Sequence, residues 1–165
     1  MKTIVLIGMP GAGKTTIGRS LAKVLNVKFV DIDDEIEKVE NISIKEIFSI
    51  KGEKYFRQIE QQTIKNIFRP YDLVISLGGG AFENTVTRDL LIKNANVIYL
   101  QTSVENIFQR TQNNDKRPLL VDNNLKKIEQ ILRIRQKNYK LAQFTVLTDN
   151  KDIEQVVGEI CKCVN

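Results

Sequence analysis

The chain has 165 residues, 42% of them hydrophobic and 27% charged, with a net charge of +5, two cysteines and no histidine. That size and balance suit one globular domain with room for a real core. They exclude a disulfide framework and a Cys/His metal centre, and no stretch approaches the ~20 apolar residues that span a bilayer. The first strand starts at once, so no signal or transit segment is expected and a reducing cytoplasm is the default. The positive charge is modest, and no Lys/Arg block with interleaved aromatics suggests a nucleic-acid partner. Small anionic ligands account for it.

Residues 2–7 form a short apolar run rich in β-branched side chains, which predicts a buried strand. The run leads into Gly8-Met-Pro-Gly-Ala-Gly-Lys-Thr15 and then into an amphipathic helix over 16–25. Strand, glycine-rich turn and helix in that order match the phosphate-binding loop, GxxxxGK followed by Ser or Thr. The glycines let the backbone fold around an anion with its N–H groups inward, and the helix adds its positive end. Lys14 reaches the β- and γ-phosphates, and the Thr15 hydroxyl suits Mg²⁺. The expected nucleotide contacts are Gly8, Gly11, Ala12, Gly13, Lys14, Thr15 and Thr16, and the expected ligand is a nucleoside triphosphate.

A second short strand, 27–31, ends in acid. Residues 33–40 read as helix, and Ser43 with Glu46 three residues on reads as a capping box for another. Gly52 breaks that stretch, a helix covers 53–68, and Pro70 ends it. The third strand is 72–77, followed by Gly78, Gly79 and Gly80. A helix over 85–93, a strand over 96–100 and a helix from Ser103 to about Arg110 come next. Residues 111–124 are polar and suit a lid. A long basic helix over 125–142, a strand over 144–147 and a helix over 153–161 complete the chain. Short apolar strands alternating with helices predict a parallel sheet covered on both faces.

Several further residues allow two uses. Asp31 and Asp33 stand at the carboxyl end of the second strand, where open parallel sheets bind ligands, and can serve Mg²⁺ and an acceptor hydroxyl; the alternative is that Asp33 or Asp34 merely caps the next helix. Arg57 could serve a site or form exposed i,i+4 pairs of little worth. The triple glycine lets a ligand approach the backbone, or is a plain tight turn. Arg117 could clamp phosphate oxygens or be a solvated charge. Arg133 and Arg135 face different sides of one helix, so at most one points at a site.

Taken together, these segments resemble the shikimate kinase family from end to end. The resemblance rests on the phosphate loop, Phe29-Val-Asp-Ile-Asp33, Gly52-Glu-Lys-Tyr-Phe-Arg57 with Glu60, Ser76-Leu-Gly-Gly-Gly-Ala81, Arg110-Thr111, Arg117-Pro-Leu-Leu120, and Arg135 with Tyr139 four residues on. It implies a P-loop kinase fold: a three-layer α/β sandwich with five parallel strands in the order 2-3-1-4-5. It implies a single domain over 1–165, with a helical substrate-binding insertion at about 32–69 and a lid at about 111–124.

The implied reaction is transfer of the ATP γ-phosphate to the 3-hydroxyl of shikimate, a step of aromatic amino acid (chorismate) biosynthesis. By resemblance, Asp33 holds the reacting hydroxyl and Asp31 holds Mg²⁺. Arg57 and Arg135 grip the substrate carboxylate in a pocket lined by Gly78, Gly79 and Gly80. Lys14 and Arg117 stabilise the transferring phosphate, and Arg110 stacks on adenine. The expected partners are ATP and shikimate, with no nucleic acid or membrane, in a monomer. Two stretches depart from the family pattern: Gln136-Lys-Asn138 lacks a proline, and so does the loop over 148–152. The competing functions are a gluconate or nucleotide kinase of the same architecture, and a nucleotide-binding module without catalysis.

Overall fold

The computed structural model describes residues 1–112 and 125–164. Five strands, β1 (Ile4–Ile7), β2 (Lys28–Asp31), β3 (Leu73–Ser76), β4 (Asn96–Gln101) and β5 (Phe144–Leu147), form one parallel sheet in the order β2-β3-β1-β4-β5. This is the order that the resemblance implies. Among the described residues seven α-helices connect and follow the strands: α1 (Lys14–Leu25), α2 (Ile32–Glu40), α3 (Ile44–Ile67), α4 (Thr85–Asn94), α5 (Val104–Thr111), α6 (Leu125–Tyr139) and α7 (Ile153–Val164).

Alternation along each strand explains the apolar runs. Val5, Ile7, Ile75, Val97 and Tyr99 point into one core with residues of α2, α3 and α6. Ile4, Leu6, Val74, Ile98 and Leu100 point into a second core against α1 and α7. Both faces are therefore dry, and every position of β1 is apolar and buried. Truncating one of these side chains to alanine costs about 2–5 kcal/mol.

Local signals decide several element ends. Ser43 Oγ accepts from Glu46 N while Glu46 Oε2 accepts from Ser43 N, so the capping box that starts α3 is complete. Gly52 has φ 82° and ψ 167° inside α3, a break that kinks the helix where the glycine was expected to end it. Other ends differ from expectation. The helix after β2 starts at Ile32, because Asp31 is its cap, and neither Asp33 nor Asp34 is. A 3-10 turn over Ala81–Glu83, unmarked by any periodicity, follows the glycine triplet. The long basic helix stops at Tyr139, where a turn over 139–142 precedes β5. Most of the expected lid, with Arg117, lies outside the described residues.

Candidate active site

The loop between β1 and α1 has the backbone that a phosphate cradle needs. Gly13 is the N-cap of α1 at φ 92° and ψ 13°, and no side chain caps the helix there. A left-handed residue turns the chain so that the first N–H groups of α1 face into the loop. Gly8, at φ 145°, approaches β4 so closely that a Cβ would stand 2.7 Å from the carbonyl oxygen of Leu100. Lys14 is buried, and its Nζ donates to the carbonyl oxygens of Gly8 and Met9, each at 3.0 Å. Its ammonium is thus held beside the loop that it serves.

Thr15 and Asp31 meet next to this loop. Thr15 Oγ1 donates to Asp31 Oδ2 at 2.6 Å, and Asp31 Oδ1 accepts from Asp33 N at 3.1 Å. Asp31 is therefore both the cap of α2 and an oxygen partner of Thr15. Asp33 stands in the first turn of α2, with its carboxylate turned toward the glycine triplet. A Cβ on Gly78 would lie 2.9 Å from Asp33 Oδ1 and 2.7 Å from Glu60 Oε1.

The glycine triplet is packed on by both arginines. A Cβ on Gly80 would stand 2.6 Å from Arg57 Nη2, and one on Gly79 would stand 3.0 Å from Arg135 Nη1. None of the three glycines has positive φ. Space, not backbone conformation, is what keeps side chains out, so the plain-turn use of the triplet does not describe it.

Arg57 does form helical pairs, with Glu53 at 3.3 Å and Glu60 at 2.8 Å. These are not the exposed pairs that spacing also allowed, because Glu60 is only 2% exposed. Burial pulls the Arg57 guanidinium down, but Glu60 and Glu53 more than offset this and hold it above its ordinary value. Burial also pushes the Glu60 carboxyl up, and Arg57 and Arg135 pull it back only in part. Arg135 is buried, with Nη1 making no hydrogen bond among the described residues, while Arg133 is exposed. A buried guanidinium with an unused donor is suited to receive an anion.

Tyr139 is buried against the glycine-triplet segment. Its hydroxyl donates to the carbonyl oxygen of Gly79, and its ring stacks on Tyr99 with centroids 5.0 Å apart. Burial pushes its phenol well above the ordinary tyrosine range, so it stays a donor.

Spacing along α3 does not by itself single out Glu60 as the buried partner of Arg57, since Glu53 lies equally within reach on the other side. A finer signal is present: Phe56, Glu60 and Ile64 fall four apart on α3 and are all buried, which puts an acid on an apolar stripe.

On the far side of the phosphate loop, Arg110 Nη1 donates to the Gly11 carbonyl at 3.4 Å. Arg110 lines a cavity of about 230 Å³ with Gly13, Thr16, Thr148, Lys151 and Ile153. Asp149 braces the loop behind it by accepting from Ser103 N and, at 2.7 Å, from Asn106 Nδ2.

The shikimate kinase family model matches residues 10–165. The chain is 42% identical over 160 residues to a shikimate kinase of Sulfurihydrogenibium sp. (strain YO3AOP1), covering 97% of this chain and 96% of that protein. It is 41% identical to one of Persephonella marina, covering 97% of each. Among solved structures, shikimate kinase from Acinetobacter baumannii in complex with shikimate superposes with a TM-score of 0.95 at 36% identity, covering 99% of this chain and 93% of that one. A gluconokinase from Sinorhizobium meliloti shares the fold alone, at a TM-score of 0.57 and 16% identity. The chain belongs to the shikimate kinase family.

Proposed function

We propose that Arg57 and Arg135 hold the carboxylate of shikimate, so that its 3-hydroxyl meets the γ-phosphate of an ATP seated on the loop from Gly8 to Thr15. The observation that carries this reading is the packing of both guanidiniums on Gly79 and Gly80, at the distances given above. Two planar forks on one backbone segment suit a carboxylate, and anchoring one end of a small rigid acid fixes where its hydroxyls lie.

Asp33 is the group for the reacting hydroxyl. It accepts that proton or orients the oxygen, and the closeness of its carboxylate to Gly78 supports this reading. Lys14 neutralises charge on the transferring phosphoryl group, a role that the family resemblance also gives to Arg117, outside the described residues. Arg110 and Thr16 stand where the adenine and its neighbouring phosphates would lie, in the cavity behind Gly13. Ala12, buried in the loop, donates its N–H to the Met9 carbonyl at 3.1 Å and so holds the curve of the cradle.

The family's divalent metal is read as Mg²⁺, held by Thr15 and Asp31. Their oxygens already meet at 2.6 Å, and a hydroxyl with a carboxylate is the hard-oxygen set that Mg²⁺ shares with phosphates and water. No cluster of three or more His, Cys, Asp or Glu side chains offers a metal cage among the described residues. Bound there, the ion supplies charge neutralisation on the phosphate oxygens.

We read the working unit as a monomer. No helix among the described residues is long and apolar enough to cross a membrane, and we read the compartment as the cytoplasm. The test is ADP release with shikimate, gluconate and nucleoside monophosphates in parallel, with and without Mg²⁺. The reading requires Mg²⁺-dependent turnover with shikimate. Turnover with gluconate or a nucleotide but not with shikimate overturns it.

A further inference from the structure

Arg135, Asn138 and Tyr139 stand three and four residues apart near the end of α6, so one face of the helix carries all three. That face looks onto the segment that runs from the glycine triplet into the 3-10 turn. Tyr139 bonds the Gly79 carbonyl at one end of the segment, and Asn138 Nδ2 donates to Glu83 Oε2 at 2.9 Å at the other. A single hydrogen bond is a pivot. Two bonds from successive residues to different points of one segment fix the rotation of the helix, and with it the direction of a side chain one turn earlier.

Glu83 has a second property that needs an explanation. Its Oε1 is buried with no hydrogen bond among the described residues. By charge alone, a carboxylate here opposes an anionic substrate. By its hydrogen bond to Asn138, it fixes the helix that presents Arg135. The two effects have opposite signs in substrate binding, so they can be separated.

We propose that Asn138 and Glu83 form a clasp that sets the reach of Arg135, which makes both of them positioning residues for the substrate carboxylate. The clasp rests on the reading of Arg135 as a carboxylate ligand.

The experiment measures KM for shikimate and for ATP, kcat, and calorimetric shikimate affinity. It compares wild type with Asn138→Ala, Glu83→Ala, Glu83→Gln, the double Asn138→Ala/Glu83→Ala variant, and Arg135→Ala as reference. Asn138→Ala and Glu83→Ala should each raise the shikimate KM and dissociation constant by about three- to tenfold, with kcat and the ATP KM within about twofold. The double variant should match the singles, because the bond is lost only once. Glu83→Gln should bind shikimate at least as tightly as wild type, because its amide carbonyl accepts the same bond and the opposing charge is gone; weakened binding there overturns the clasp.

Tighter shikimate binding in Glu83→Ala overturns the clasp and leaves a purely electrostatic role. Additive losses in the double variant, or an equal rise in the ATP KM, overturn it as well. Should one single variant not fold, the other decides. Weakened shikimate binding in Arg135→Ala with none in Asn138→Ala rejects the clasp alone. An unchanged Arg135→Ala rejects the reading of Arg135 and the clasp with it.

Discussion

Glu60 Oε2 accepts a hydrogen bond from Arg57 Nη1 at 2.8 Å, and the acid that does so is almost wholly enclosed by the protein. The bond fixes one edge of the guanidinium, while the glycine triplet accommodates the rest of it. Glu60→Ala should therefore free Arg57 and raise the shikimate KM. It should also destabilise the fold by about 1–3 kcal/mol, the cost of leaving a buried polar partner unmet. Glu60→Gln keeps an acceptor and should act mildly on both.

The pair also has a pH signature. Burial holds the Glu60 carboxyl above its ordinary value in the folded state. A group raised in this way contributes stability that is complete below its unfolded pKa of about 4.3 and is lost as pH rises through the higher folded value. Glutamine cannot ionise. The stability difference between Glu60→Gln and wild type should therefore move in favour of the variant as pH rises from about 4 through the raised folded value. Thermal melts across that range check it, and a flat or reversed trend contradicts the assignment.

Lys14→Ala should abolish turnover and leave the fold intact. Lys14 is bonded to the loop carbonyls of Gly8 and Met9, not buried in an apolar core. Its loss removes a cation from the transferring phosphate, a change worth at least about 10²-fold in rate. Circular dichroism beside the ADP-release assay measures both halves. A folded variant with near-normal turnover would show that the phosphate site lies elsewhere.

Asp33→Asn should lower kcat by about 10²- to 10⁴-fold, with a smaller effect on the ATP KM. The asparagine keeps the shape and can still hydrogen-bond, but carries no charge to take or orient the proton. The bond from Asp33 N to Asp31 Oδ1 is a backbone bond, so the cap of α2 survives the substitution. A loss confined to ATP affinity would reassign Asp33 to the nucleotide.

Arg57→Ala and Arg135→Ala should each raise the shikimate KM by roughly ten- to a hundredfold, with little change for ATP, because each removes a charge-assisted contact to the substrate anion. Arg57→Lys should rescue only partly, since ammonium cannot reproduce a planar fork. Arg133→Ala should be nearly silent, as Arg133 is exposed. Gly80→Ala should resemble a weak Arg57 variant, because the added carbon would come 2.6 Å from Arg57 Nη2 and displace it. Equal effects on shikimate and ATP in any of these would break the two-arginine pocket.

The chain's local signals carry much of this protein. Residues 2–18 determine a strand, a turn and a helix in order, because the apolar run, the glycines and the amphipathic repeat each act within a few residues. Ser43 and Glu46 determine a helix start for the same reason, and both bonds of their capping box form. The apolar strands require a sheet covered on both faces, and the two cores supply the cover.

What pairs across the sheet is decided only by the tertiary structure. Asp31 took the cap that Asp33 or Asp34 could have taken, since at the end of β2 its carboxylate reaches both Asp33 N and Thr15. Arg57 has helical partners on either side in sequence. It comes to lie half-buried against Gly80 only because β3 lies between β2 and β1, which brings the glycine triplet under α3 and beside the phosphate loop. Arg135, Asn138 and Tyr139 share a helical face that the sequence can show. That the face meets Gly79 and Glu83 depends on how α6 packs against the segment and 3-10 turn that follow β3. Periodicity and capping act over one or two turns, whereas partners distant along the chain are set by strand order and by which faces must be kept from water.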